Sequence, residues 1–187
     1  MKRKRAFEKL QSALVENKRV HIKRVFDRAD VLEGYVVAVG DEWTLLWLVD
    51  SNYSVDGWAA LRIADLFAIQ KVNDREHDDV QRRILSVSGE WPPSVPVGCN
   101  VSGLPAILAM ANGAARLISL HKEAAQPDRF WVGRTTASDE RHVTLEELDP
   151  GARWDRSRVM DSDDITRVDF GSIYMERLAL VMEPFVG

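Results

Sequence analysis

Four histidines (His21, His77, His121, His142), one cysteine (Cys99) and the aspartates Asp161, Asp163 and Asp164 are the side chains in this sequence best suited to catalysis or metal binding. Metal chemistry needs ligands that converge. These histidines are scattered, with no pair at helical i, i+4 spacing and no cysteine near them, so they read as surface or half-buried residues rather than zinc ligands. The aspartate run lacks the later glycine and bidentate glutamate of a calcium loop and reads as a solvated turn. Val101-Ser102-Gly103 is not a glycine-flanked nucleophile elbow, and no glycine-rich loop is present to cradle phosphate. Cys99 has no basic partner nearby in sequence to make it a thiolate. The expectation is a non-enzymatic chain with no catalytic residue, no metal and no cofactor. An active site assembled from distant residues is the one enzymatic route left open.

Charge suggests binding rather than chemistry. The chain carries a net charge of −4 and a pI near 5.6, whereas duplex nucleic acid selects a basic surface because neutralising phosphates supplies most of the affinity. The charge is nevertheless uneven. Lys and Arg crowd Lys2 to Arg28, and Asp and Glu crowd Asp139 to Asp169. Lys2, Arg3, Lys4 and Arg5 are therefore a candidate anion-binding arm, and Asp139, Glu140, Asp163 and Asp164 a candidate site for a basic partner. A single cysteine cannot form an internal disulfide, which fits a reducing, cytoplasmic setting. No apolar run approaches the roughly 18 residues of a membrane span, and the basic start is not followed by the apolar core of a signal peptide.

The elements that would position these groups are short. Phe7, Leu10 and Leu14 share one helix face, which predicts a helix from about residue 5 to 17. Alternation then predicts strands at Val20 to Arg24, Leu32 to Val39, Trp43 to Val49, Gly57 to Ile63 and Phe67 to Val72, separated by turn-forming Gly40-Asp41 and Asp50-Ser51-Asn52. The third strand is apolar on both faces. Asn73 to Ser88 suits an exposed helix, and Gly89 to Gly98, with Pro92, Pro93 and Pro96, suits a linker. The pattern then restarts: a helix over about 103–111, then strands at Leu117 to His121, Phe130 to Thr136, His142 to Leu148, Arg153 to Met160 and Ile165 to Phe170. Trp43, Trp47 and Trp58 read as packing residues, with a partner surface as the alternative. Trp91, in the linker, is expected to pack between the two units.

The halves superimpose as sequence. Gly34-Tyr35 matches Gly133-Arg134, Asp41-Glu42 matches Asp139-Glu140, Asp50 matches Asp149, and Ala64-Asp65-Leu66 matches Asp163-Asp164-Ile165. Such spacing argues for an internal duplication. It divides the chain into a first unit (1–72), a charged helix and Pro-rich linker (73–98), and a second unit (99–187).

A helix followed by five closely connected strands, given twice, resembles the Sm-like small β-barrel, in the tandem form found in uncharacterised bacterial proteins. The likeness is carried by Gly34 and Gly133 in the second strands, by the two Asp-Glu turns, and by the segments Val55 to Leu66 and Asp163 to Gly171. It implies a mainly β (α+β) fold of two tandem Sm-like five-strand barrels, each preceded by a helix. It implies no site. The Asp…Met-Asn and Arg-Gly motifs with which Sm proteins hold RNA are replaced by Gly40-Asp41-Glu42-Trp43-Thr44, Asp139-Glu140-Arg141-His142-Val143, Ala64-Asp65 and Asp163-Asp164, and carboxylates there repel phosphate. The resulting expectation is a scaffold or interaction module. Its barrels would meet through third- and fifth-strand edges, as a monomer or small homo-oligomer with a protein partner. RNA or other nucleic-acid binding through the basic N-terminal segment is the alternative.

Overall fold

The structure is a computed structural model that describes residues 1–72 and 75–182, with only the backbone of Arg75. Helix α1 (Arg3–Val15) precedes β1 (Arg19–Arg24), β2 (Leu32–Val39), β3 (Trp43–Val49), β4 (Val55–Arg62) and, after a 3-10 turn at Ile63–Asp65, β5 (Leu66–Lys71). Helix α2 (Arg75–Val87) follows. The second half repeats the series with α3 (Leu104–Ala114), β6 (Ile118–His121), β7 (Phe130–Ser138), β8 (His142–Leu148), β9 (Trp154–Asp161), a 3-10 turn at Ser162–Asp164, β10 (Arg167–Phe170) and α4 (Ile173–Val181). The sequence places the start of the middle helix at Asn73, and Asn73 and Asp74 lie outside the described residues, as do 183–187.

The expected pair of closed barrels does not form. All ten strands join one open antiparallel sheet in the order β5-β1-β2-β3-β4-β10-β6-β7-β8-β9. A closed barrel would need strand four to return to strand five of the same half. Instead the outer edge of β4 is taken by β10, with Leu61, Ala60, Ala59 and Trp58 opposite Arg167, Val168, Asp169 and Phe170. The Sm-like likeness and the β-barrel description rest on closure, and both are overturned with it. β3 is interior, so the free edges are β5 and β9 and not a third strand.

The duplication is written in the register. Gly34↔Leu48 recurs as Gly133↔Glu147, the bulge between Val36 and Ala38 as that between Thr135 and Ala137, and Val49↔Val55 as Leu148↔Trp154, each 99 residues on. The hairpin closed by Gly40 N–H on the Trp43 carbonyl recurs as Asp139 on His142. Asp139 therefore stands in the place of Gly40, one residue from the Asp-Glu pairing read in the sequence. Gly34 and Gly133 are fixed by close approach: a Cβ would lie 2.2 Å from the Trp47 carbonyl oxygen and 1.9 Å from that of Glu146.

The core runs through the junction. β3 is buried along its whole length because each alternate position meets a different helix layer. Leu46 and Leu48 pack with Leu10 of α1. Trp43 and Leu45 pack with Ile107 of α3 and with Val143 and Val168 of the second half. Trp47 and Val49 pack with Leu85 of α2. The matching strand β8 buries Val143 and Leu145 but leaves His142 exposed and Glu146 and Glu147 half-buried, since no further unit covers it. Trp91 packs against Tyr35 at 5.2 Å and under the Arg82 guanidinium, so it belongs to the first half and not to the space between halves.

Candidate functional site

The β4·β10 junction builds a site. Gly57 (φ +74°) and Gly171 (φ +68°) meet there, and a Cβ on Gly57 would fall 2.3 Å from the Phe170 carbonyl oxygen. Positive φ and the close approach together require glycine. Trp58 stacks on Phe170 at 5.4 Å, and Asp56 Oδ1 accepts the Ile173 backbone N–H at 2.9 Å, fastening the start of α4. A cavity of about 350 Å³ opens beside this joint. Arg28, Asp30 and Asp56 of the first half line it together with His121, Phe130, Arg167, Asp169 and Tyr174 of the second.

Its floor is an ionic network. Arg167 donates from Nε to Asp169 Oδ1 at 2.7 Å and from Nη1 to Asp30 Oδ1 at 3.0 Å. Arg24, fully buried, donates from Nη2 to Asp30 Oδ1 at 2.5 Å and pairs with Glu123 Oε1 at 2.8 Å. Thr166 Oγ1 donates to Glu123 Oε2 at 3.2 Å. Burial alone would raise the Asp169 pKa, but Arg167 and His121 hold this carboxyl far below the usual carboxylate range. Asp30 is lowered in the same way, against its desolvation, by Arg167 and Arg24. Desolvating so many charges costs several kcal/mol per ion before pairing offsets it, and such networks concentrate where a site uses them.

Ser119, His121 and Asp169 resemble a hydrolytic triad only in composition. Ser119 Oγ lies 3.2 Å and Asp169 Oδ2 3.1 Å from the same nitrogen, His121 Nε2. A proton relay needs the nucleophile and the orienting carboxylate on opposite ring nitrogens. The trio therefore fixes the imidazole and does not activate Ser119. Comparison with protein-family models, with curated proteins and with solved structures finds no match. Function must be argued from this geometry.

The residues singled out in the sequence are partly assembled. Asp139, Glu140 and Asp163 line a second cleft, of about 520 Å³, together with Glu42 and Arg62 of the first half. Two of the four acids have structural work. Asp139 Oδ1 accepts the backbone N–H groups of Arg141 and His142, both at 2.7 Å, and those bonds lower its pKa. Asp164 lies outside the cleft and pairs with Lys122 at 2.7 Å. Of the basic arm, Lys2 and Arg5 line a shallow pocket with Lys9 and Phe67. Arg3 instead donates to the Asp41 carbonyl from Nη2 at 2.6 Å, and Lys4 is exposed. Burial raises the Cys99 thiol pKa, which opposes thiolate reactivity. No helix is long and apolar enough to cross a membrane among the described residues.

The sequence reading set His121 aside as an ordinary surface or half-buried histidine and missed Asp30, Arg167 and Asp169. One signal was available: in the four-residue strand Arg167-Val168-Asp169-Phe170 all four residues are buried, two of them charged. Charges at i and i+2 in so short an apolar context require partners.

The two sheet edges also differ. On β5 the Lys9 ammonium of α1 donates to the Ile69 carbonyl at 2.9 Å and so occupies an edge acceptor. On β9, Asp155, Arg156, Ser157, Val159 and Asp161 are exposed, and among the described residues no strand pairs beyond it.

Proposed function

We propose that this protein is a non-catalytic interaction module that takes a strand of a protein partner along the open edge of β9. The observation that carries this reading is the asymmetry of the edges. An unpaired strand is a template for β-addition unless it is blunted, and among the described residues only β5 has a lysine seated on an edge carbonyl. The internal repeat supplies the precedent. β4 accepts β10 antiparallel at Trp58 to Leu61, and the same 99-residue displacement marks Ser157 to Met160 as the pairing stretch of β9. The C-terminal end of β9 runs directly into the turn Ser162–Asp164, beside Asp139, Glu140 and Asp163. A partner strand flanked by basic residues suits that end.

The test is capture of partners by tagged full-length protein with and without nuclease, followed by hydrogen exchange on the complex. A stoichiometric, nuclease-resistant partner that protects 155–161, and that is lost with Val159→Lys, supports the reading. A partner that protects other elements and ignores Val159→Lys overturns it. One observation favours a second reading, single-stranded nucleic acid along β5: exposed Phe67 sits among Lys2, Arg5 and Lys9, and an aromatic beside cations is a stacking platform. That reading requires binding that weakens steeply with salt and disappears in a Lys2, Arg5 and Phe67 triple alanine variant.

A further inference from the structure

Three features of the junction cavity are open to a ligand. Arg167 is 8% exposed and lines the cavity, with Nε and Nη1 engaged by Asp169 and Asp30, while its Nη2 makes no hydrogen bond among the described residues. Asp56 gives Oδ1 to the Ile173 N–H and leaves its other oxygen without a hydrogen bond among the described residues. Phe130 and Tyr174, 48% and 55% exposed, stand at 88° to each other with centroids 6.5 Å apart.

These features select a chemistry. A buried guanidinium with a spare N–H recognises a carboxylate. Two perpendicular rings beside a carboxylate recognise a cation, which a corner of this size admits within about 6 Å of both centroids. Neither a pure anion nor a pure cation suits the whole cavity: an anion meets a floor in which the carboxylates of Asp30, Glu123 and Asp169 outnumber the guanidinium groups of Arg24 and Arg167, and a cation leaves the spare Arg167 N–H unmet; at the exposed rim Arg28 meets Asp128 at 3.1 Å. A volume of about 350 Å³ is at the small end of ligand pockets.

We propose that this cavity binds a small zwitterion, an amino acid or a betaine, with its carboxylate on Arg167 and its ammonium group against Phe130, Tyr174 and Asp56. The phenyl ring of Phe130 is held by its stack on His121 at 5.4 Å, and His121 is held by Asp169, so the ionic floor positions the cation wall as well as the guanidinium. The rim pair Arg28–Asp128 is exposed on both sides and exposed pairs contribute little, so entry past it costs little. This site is separate from β9, and its failure leaves the strand-addition reading intact.

The experiment is titration calorimetry of the full chain with glycine betaine and the standard amino acids, and with choline and acetate as the two halves of the zwitterion. At least one zwitterion is expected to bind with unit stoichiometry, and choline and acetate about tenfold or more weaker. Tyr174→Ala, at an exposed ring, is expected to keep the fold and weaken binding about tenfold; Asp56→Asn, which keeps the acceptor for Ile173, is expected to weaken it as well. Absence of binding by every zwitterion overturns the proposal. So does choline binding as tightly as glycine betaine, or affinity unchanged in both variants.

Discussion

At the residue scale the ionic floor sets how this protein responds to acid. Asp169 is the carboxylate on which Arg167 and His121 meet. Its folded pKa lies below its unfolded value near 3.9, so its contribution to stability is fully present above about pH 4. That contribution fades as pH falls through the folded pKa, when the unfolded chain takes up the proton first. Urea unfolding followed against pH should show this loss in the wild type below about pH 4. Asp169→Asn should cost about 3 kcal/mol at neutral pH, because it strands part of the Arg167 charge, and should flatten the acid decline. An unchanged urea midpoint in the variant would mean that the network contributes nothing. The partners were not legible in the sequence, where His121 and Asp169 stand 48 positions apart and only the tertiary pairing of β6 with β10 joins them; the two charges in the short strand Arg167–Phe170 were the one local sign. The acids that were noticed, Asp139, Glu140, Asp163 and Asp164, stood out because they cluster locally in turns.

At the scale of elements the sequence was readable because strands and helices follow local periodicity. All ten strands expected from alternation lie within two residues of the observed bounds, those at Leu32–Val39, Trp43–Val49 and His142–Leu148 with no difference, and the glycine match of the second strands holds in the register. That match has a mechanical cause, which predicts a contrast. Gly133→Ala drives a Cβ against the Glu146 carbonyl, a backbone atom that cannot turn aside. It should cost about 1–3 kcal/mol or more, as overpacking does. Gly34→Ala should behave alike against Trp47. Gly113→Ala, in α3 with nothing within 4 Å of the new methyl, should be neutral or stabilise by about 0.5–1 kcal/mol. Thermal melts of the three variants check the order, and equal effects would remove close approach as the reason for the two strand glycines.

At the scale of the whole molecule the reading failed at a single decision, which edge β4 pairs with. Strand number, turn chemistry and alternation are the same for a closed five-strand unit and for half of a ten-strand sheet, so local signals cannot choose between them. The choice is made by Gly57, Gly171 and Trp58, whose approach across 114 positions of chain lets β10 in. Composition did hold a partial clue, since β3 is apolar on both faces whereas its counterpart β8 carries the half-buried Glu146 and Glu147; only the first is buried along its whole length.

A shared sheet makes the halves one folding unit. Trp43, Leu45 and Ala60 of the first half lie in the same core as α3, Val143 and Val168, so loosening the joint must be felt in both. Trp58→Ala removes the ring stacked on Phe170 and over Gly171 and should cost about 3 kcal/mol. Hydrogen exchange in increasing urea is expected to show amides of β1 and of β7 losing protection together in the wild type, and both shifting to lower urea in the variant. If Trp58→Ala lowered protection in β1 alone, with β7 unmoved, the two halves would be independent domains that merely touch, and the cavity between them would have no rigid walls on which to hold a ligand.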